Sequence, residues 1–96
     1  MSVFVVEYVY EAETAAARNE LLPTHRQWLK ERVDSGRVLS SGPYVDGAGA
    51  LLLFTADSEA ALLEELKQDP FNQAGLVSGM RVKEWKPLLG AFTEHA

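Results

Sequence analysis

The chain has 96 residues, of which 47% are hydrophobic and 24% are charged, a composition typical of one small folded domain. Its formal net charge of −5 argues against a nucleic-acid backbone or an anionic membrane as a partner. The absence of cysteine excludes disulfides, thiolate catalysis and cysteine-based metal centres, and favours the reducing cytoplasm as the location. The longest apolar run, at 48–54, is too short to span a bilayer.

The first predicted element is a strand over residues 3–10, where β-branched and aromatic side chains dominate. An alanine-rich segment follows at 11–18, with helical propensity and Thr14 as a candidate cap. Because Pro23 interrupts this segment, we predict a short lead-in turn and a main helix that begins near Pro23. That helix is expected to end at Gly36, a residue type suited to a C-terminal cap.

The second half of the chain carries three further strand patterns and one helix pattern. Ser58 is the expected N-cap of the second helix, which breaks at Asp69-Pro70 before one more turn at 71–76. The predicted strands and turns are, in chain order, a strand at 37–41 ended by Gly42-Pro43, a turn at 46–49, a strand at 50–55 and a strand at 80–86.

This β-α-β-β-α-β order predicts a single α+β domain over residues 1–96, a ferredoxin-like four-stranded antiparallel sheet with two helices on one face. The first and third strands are apolar on both faces, whereas two helices cover only one. We therefore expect the other face to be buried in a homodimer; higher assembly stays open. The tail, residues 88–96, is expected to cross a neighbouring surface, with a frayed end as the alternative.

One ionisable side chain falls on the apolar stripe of the main helix. His25 shares that stripe with Leu22, Leu29 and Val33 at helical spacing. Histidine normally titrates between about pH 5 and 8, so a half-buried copy can carry out proton chemistry. The alternative interpretation is that it fills space in the core and hydrogen-bonds a neighbour.

Asp69 is the second candidate, because the proline after it disfavours a helical conformation and leaves its carboxylate free to point elsewhere. In this fold the two helices lie side by side, so Asp69 could reach His25, orient the imidazole and make it a general base. The alternative is that Asp-Pro is a common dipeptide at helix ends. Candidate substrate-binding residues are Ser41 at the end of the second strand and the aromatic residues Tyr8, Trp28 and Phe71, although aromatics in small domains usually belong to the core.

No metal site or other cofactor is predicted. The two histidines, His25 and His95, have no carboxylates at helical ligand spacing. The two glycines at 47–49 precede a strand and indicate a hairpin turn, in contrast to a dinucleotide-binding loop.

Several short motifs occur in a characteristic order, namely His25 followed by Trp28-Leu29, Gly36-Arg37-Val38-Leu39, Gly42-Pro43, Asp69-Pro70-Phe71, Ala74-Gly75-Leu76 and Val82-Lys83-Glu84-Trp85-Lys86-Pro87. With them the chain resembles the YCII-related family of small ferredoxin-like proteins over nearly its whole length. The resemblance implies a dimeric α+β fold and an active site centred on a histidine and an aspartate, here His25 and Asp69. Some relatives are similar to enzymes that remove chloride from hydroxylated aromatic rings, and many have no assigned reaction. The short loop after Gly42-Pro43 departs from the family and implies a reduced pocket wall.

Two functional hypotheses follow. The first is a cofactor-independent lyase or isomerase, with dehydrochlorinase-like chemistry as one form, that acts on a small cyclic and polyhydroxylated organic acid or phenol. In it His25 removes a proton from the substrate and Asp69 orients the imidazole. The alternative is a non-catalytic dimeric module that binds a small ligand or supports a neighbouring enzyme. A ferredoxin-like nucleic-acid reader is excluded, because such sheets present basic and stacking residues.

Overall fold

The computed structural model describes residues 1–96 and confirms the predicted fold class. The elements are β1 (Ser2–Val9), α1 (Ala15–Asp34), β2 (Val38–Pro43), β3 (Gly49–Ala56), α2 (Glu59–Leu66), α3 (Pro70–Gln73) and β4 (Gly79–Trp85), with 3-10 turns at Ala12–Thr14 and Thr93–His95. The strands form one antiparallel sheet in the order β2-β3-β1-β4. None of the helices has the length and apolar character needed to cross a membrane.

The core lies between the sheet and the helices. Alternate residues of the two central strands point towards the helices because side chains on a strand alternate between faces. The buried cluster comprises Phe4, Val6 and Tyr8 of β1, Ala50, Leu52, Phe54 and Ala56 of β3, Val38 of β2, Trp28 of α1, and Leu62 and Leu66 of α2. Burial of this apolar surface is the main favourable contribution to folding.

Helix α1 runs without a break from Ala15 to Asp34 with Pro23 inside it, so the prediction that the helix begins near Pro23 is wrong. A proline in a helix interior removes one hydrogen bond and costs about 3 kcal/mol. Packing of α1 on the sheet, for example through Trp28, offsets that cost, because tertiary packing supplies most helical stability in proteins. Thr14 occupies the N-cap position, but its side chain accepts no hydrogen bond from the helix backbone.

Strand β2 extends through Gly42-Pro43, two residues beyond its predicted end at Ser41. The reason is its position at the edge of the sheet, where the missing N–H of a proline removes no necessary ladder hydrogen bond.

A β-bulge near the start of β2 changes which residues face the helices. Val38 lies opposite Phe54, and Ser40 lies opposite Leu53, so β2 carries one extra residue between these two pairs. In a regular strand, Val38 and Ser41 would point to opposite faces, since they are three positions apart. With the bulge, both point towards the helices.

The other face of the sheet carries no helix. Its residues are Val3, Val5, Glu7 and Val9 of β1, Leu51, Leu53 and Thr55 of β3, and Arg81, Lys83 and Trp85 of β4. We call this the open face. Val9 and Leu51 are 40% and 39% exposed, and Glu7 lies 3.7 Å from Arg81. In the tail, Leu88 and Leu89 are also exposed, whereas Pro87 is fully buried.

Gly49 is the glycine at which the fold tolerates a side chain least. A Cβ atom at Gly49 would lie 2.1 Å from the backbone oxygen of Tyr8 in the neighbouring strand. A Cβ at Gly42, in β2, would meet nothing within 4 Å. We therefore expect Gly49→Ala to lower the free energy of unfolding by about 2 kcal/mol or more, because β1 and β3 must separate locally.

The matched control is Gly42→Ala, which restricts the unfolded chain equally but creates no overlap, and should change stability by less than about 0.5 kcal/mol. Urea unfolding followed by circular dichroism measures both variants. Equal stabilities for the two variants would contradict the close approach of Gly49 to Tyr8.

Candidate functional site

Asp69 is the centre of a buried hydrogen-bond network. It is the N-cap of α3, where the proline that follows it is well placed because the first turn of a helix needs no N–H there. Its side chain is fully buried. Oδ1 accepts from the backbone N–H of Phe71 at 2.9 Å and lies 2.8 Å from Nδ1 of His25, and Oδ2 accepts from the hydroxyl of Tyr8 at 2.8 Å.

This arrangement defines the tautomer of His25. A carboxylate oxygen only accepts hydrogen bonds, so Nδ1 of the neutral ring carries the proton and donates it to Asp69. The lone pair of the ring is then on Nε2, which has no hydrogen-bond partner in the protein, and His25 lines a cavity. The site therefore presents a basic nitrogen to that cavity.

Tyr8 donates a hydrogen bond to the carboxylate of Asp69. Burial raises the pKa of Tyr8 well above its ordinary value, and the negative charge of Asp69 raises it further. The hydroxyl therefore stays protonated and keeps donating to Asp69 throughout the physiological range. Asn72 donates to the Tyr8 hydroxyl at 3.0 Å and to the carbonyl of Leu66 at 2.8 Å, which connects the network to the end of α2.

Aromatic contacts hold the imidazole in place. The rings of His25 and Phe71 are parallel to within 3°, with their centroids 3.8 Å apart. The ring of Tyr10 meets Phe71 edge-on at 6.0 Å. Because Asp69 bonds one edge of the imidazole and Phe71 covers one ring face, rotation of His25 would break both contacts.

The cavity has a volume of about 850 Å³, within the range typical of small-molecule sites. It lies between α1 and the β2–β3 hairpin. Its apolar lining residues are Ala15, Leu22, Leu29, Val33, Pro43, Ala50, Leu52 and Phe71. The polar and charged ones are Tyr10, Arg18, Asn19, His25, Arg26, Lys30, Asp34 and Ser41, with Gly42 and Gly47 completing the wall.

The structure brings together most of the residues selected from the sequence. His25 and Phe71 line the cavity, and Asp69 lies directly behind them. Ser41 lines the opposite wall because the β2 bulge points it towards α1. Tyr8 does not line the cavity, and its contact with the site is the hydrogen bond to Asp69.

Trp28 lies outside the cavity, unlike its predicted place among the substrate-binding residues. Its ring packs against Phe54 in the core at 6.3 Å, and the guanidinium of Arg32 lies 4.0 Å above it. The reason is helical geometry: Trp28 is three residues after His25 and points about 60° away from it around α1.

Tyr10 and Arg18 were not selected from the sequence, yet both line the cavity. The guanidinium of Arg18 lies 4.3 Å from the centroid of the Tyr10 ring. The available signal was the seven-residue spacing between Arg18 and His25, which places both on one face of a helix. That signal was hidden by the prediction that α1 begins near Pro23.

No cluster of three or more histidine, aspartate and glutamate side chains lies close enough to hold a metal ion. The chemistry available to the described residues is therefore that of an oriented imidazole, a tyrosine, a serine and several cationic side chains around an apolar cavity.

Comparison with known proteins shows the family to which this chain belongs. The model of the YCII-related domain matches residues 3–86, and the chain belongs to that family. This confirms the resemblance seen in the sequence motifs. No protein with a curated function matches the sequence of this chain.

Two solved structures share the fold. One is 5-chloro-2-hydroxyhydroquinone dehydrochlorinase from Burkholderia phenoliruptrix in complex with 2,5-dihydroxybenzoquinone, which is 22% identical, has a TM-score of 0.77 and aligns over 88% of this chain and 93% of its own. The other is a candidate antibiotic biosynthesis monooxygenase from Bacteroides thetaiotaomicron, with 16% identity, a TM-score of 0.51 and coverage of 95% and 92%. At these identities the likeness concerns the fold.

The tyrosines generate a prediction about alkaline pH. Burial, with a further contribution from Asp69, raises the pKa of Tyr10 to about 12, that of Tyr8 is raised more strongly, and a hydrogen bond to Glu7 raises that of Tyr44. In the unfolded chain all three ionise near pH 10. The unfolded state thus loses protons first, so the stability contributed by Tyr8 and Tyr10 is complete below about pH 10 and is lost as the pH rises towards 12.

Absorbance at 295 nm measures the ionisation directly. At about pH 10.5 the folded protein should show little tyrosinate, whereas the same sample in urea should show a majority. Substitution of Tyr10 by Phe should reduce the fall in unfolding midpoint between about pH 9 and 11. Ionisation of the folded protein at the same pH as in urea would contradict this account.

Proposed function

We propose that this protein is a cofactor-independent lyase or isomerase that acts on a small hydroxylated ring compound. His25 is the general base and Asp69 orients it. The observation that carries this proposal is the bond from Asp69 to Nδ1, which leaves the Nε2 lone pair at the wall of a cavity of about 850 Å³.

In this mechanism Nε2 of His25 accepts a proton from an acidic hydroxyl or carbon of the substrate. The imidazole then becomes positively charged, 2.8 Å from the carboxylate of Asp69, and a charge-assisted hydrogen bond in a buried setting stabilises that charge. Tyr8 and the N–H of Phe71 already hold the carboxylate, so it does not need to reorganise during the reaction.

The cavity walls support a ring-shaped substrate. Phe71 and Leu52 offer apolar contact, and the hydroxyl of Ser41 is a donor or acceptor for a substrate oxygen on the opposite wall. Trp28 has no part in this proposal, because it lies in the core. Tyr8 contributes through Asp69.

The shared fold of the dehydrochlorinase supports an elimination as the reaction class. Loss of hydrogen chloride removes one proton and one chloride ion from the same substrate, so the electrons balance without an external oxidant. A positioned base facing an apolar cavity fits the proton part of that reaction. Chlorinated hydroxyhydroquinones and chlorinated dihydroxybenzoates are accordingly the first substrates to assay.

The key variant is His25→Asn, whose amide can keep the donor to Asp69 in the place of Nδ1 while Nε2 is lost. We expect the rate of chloride or proton release to fall by about 100- to 10,000-fold, the contribution of a positioned general base. A chloride electrode and stopped-flow absorbance of the quinone product measure it.

Ser41→Ala is the matched control, because it alters the cavity wall without touching the base. It should change KM more than kcat. Full activity of His25→Asn on a substrate that the wild type converts would refute the mechanism. Unaltered binding by both variants, with no turnover of any ring compound by the wild type, would favour the non-catalytic binding module instead.

We also propose that the open face is covered by a second copy of the chain. Val5, Val9, Leu51 and Leu53 form an apolar patch there that no helix covers. Glu7 lies within the patch, opposite Leu51 of β3 and Arg81 of β4, and its carboxylate is 3.7 Å from the Arg81 guanidinium. Association of two copies through this face would bury the apolar patch in an isologous interface, in which the same surface of each copy is used. The exposed Leu88 and Leu89 of the tail are then available to contact the partner.

Leu53→Lys tests the dimer, because it introduces a charge in the middle of the patch and leaves the helix-covered core intact. Sedimentation equilibrium should give twice the chain mass of 10.6 kDa for the wild type and close to one chain mass for the variant. Val45→Lys is the control: Val45 is fully exposed in the β2–β3 turn, away from the face, and its substitution should leave the dimer unchanged. A monomeric wild type would refute the proposal.

A further inference from the structure

Arg18, a charged residue of α1, lines the same cavity as His25. Arg18 precedes His25 by seven residues, which is two helical turns, and lies on the same face. Only 8% of its surface is exposed. A charged side chain is almost never fully buried unless it is paired with an opposite charge.

Arg18 has no acidic partner. Its guanidinium donates to the hydroxyl of Thr14 and to the backbone carbonyls of Glu11, at 3.0 Å, and Leu76, at 3.4 Å. These bonds satisfy part of its hydrogen-bonding capacity but leave its charge uncompensated. Three of the five N–H groups of a guanidinium are thus used, and Nε–H and one N–H of Nη2 have no partner in the protein.

The two unpartnered donors lie on atoms that share one edge of the guanidinium plane. A carboxylate binds such an edge through two parallel hydrogen bonds, the strongest geometry available to arginine. A single neutral acceptor would use only one of them. The free donors on Nε and Nη2 therefore favour a carboxylate, which can accept from both nitrogens, over a single neutral acceptor.

The charge of the cavity agrees with this selection. Its charged lining residues are Arg18, Arg26, Lys30 and Asp34, and Lys30 lies 3.1 Å from Asp34. The first turn of α1 contains no acidic residue, so the positive end of the helix dipole adds to the charge of Arg18. A cationic cavity in a chain of net charge −5 concentrates anions locally.

The cavity wall between Arg18 and His25 is aromatic. His25 stacks on Phe71, Phe71 meets Tyr10 edge-on, and Tyr10 lies under Arg18. Two helical turns separate the Cα atoms of Arg18 and His25 by about 10.5 Å. Both side chains line the same cavity, whose volume of about 850 Å³ has room for a single substituted ring.

We propose that Arg18 binds a ring carboxylate of the substrate and thereby sets the distance from that carboxylate to the proton that His25 removes. The substrate class is then a hydroxylated aromatic or cyclic carboxylic acid, bound with its carboxylate at the N-terminal end of α1. The part of this inference that concerns His25 rests on the proposed function, whereas the part that concerns Arg18 is a statement about binding.

Calorimetry with two ligands of equal shape tests the proposal. 2,5-Dihydroxybenzoate should bind the wild type about tenfold or more tightly than 2,5-dihydroxybenzamide, because only the former makes two charge-assisted hydrogen bonds. In Arg18→Gln that ratio should fall to about one. Arg26→Gln is the matched control, since Arg26 lines the same cavity but is exposed, and it should keep most of the preference.

A measurement on the wild type tests the proposal even if Arg18→Gln fails to fold. In the wild type, the NMR resonance of the Arg18 Nε–H should shift on addition of the benzoate and stay in place with the benzamide. The proposal is overturned if the wild type binds both ligands equally or binds neither. It is also overturned if a folded Arg18→Gln keeps the preference, which would leave Arg18 a purely structural role.

His25→Asn separates this inference from the proposed function. It should retain the benzoate preference, because Arg18 is untouched, while losing any turnover. A benzoate preference in a wild-type protein that converts no ring compound would refute the catalytic proposal and leave the carboxylate site standing. Loss of the preference in Arg18→Gln alone identifies Arg18 as its source.

Discussion

A fully buried carboxylate needs a hydrogen-bond donor for each oxygen, and the donors that Asp69 has come from three separate elements. Tyr8 belongs to β1, His25 to α1, and the N–H of Phe71 to α3. An unpaired buried carboxylate would be strongly destabilising, so these bonds hold α1 and α3 against the sheet. The same bonds leave one nitrogen of His25 free at the cavity. In this protein the polar interaction that joins these elements is also the one that orients the imidazole proposed as the base.

The sequence was sufficient for the parts of this arrangement that depend on local pattern. Strand periodicity and the order of elements predicted the sheet, and the apolar stripe of α1 placed His25 towards the interior. Both sequence-based interpretations of Asp69 apply at once. It lies at a helix end, where it caps the next helix, and its side chain also reaches His25. A capping carboxylate has a second oxygen to offer, so the two roles are compatible.

What the sequence did not predict depends on packing between distant segments. Local propensity favours a break at Pro23, but the contact of α1 with the sheet keeps the helix continuous, and only a continuous helix aligns Arg18 with His25. Trp28 is in the core because its side of α1 packs against β3. The apolar stripe of α1 has apolar residues on both flanks, so the sequence alone does not show which flank meets the sheet. The role of Tyr8 required the register that brings the end of β1 beneath α3.

The bulge in β2 has a consequence for how this cavity tolerates change. Val38 anchors the core and Ser41 and Pro43 line the cavity, and all three face the helices only because one residue between Val38 and Ser40 is left out of the pairing. If that residue joined the pairing, Ser41 and Pro43 would turn to the open face, whereas its deletion would leave Val38 and Ser41 two positions apart and both directed towards the helices. A register slip of one residue at this point of the chain can therefore remodel the cavity wall while every side chain of the histidine–aspartate pair stays the same.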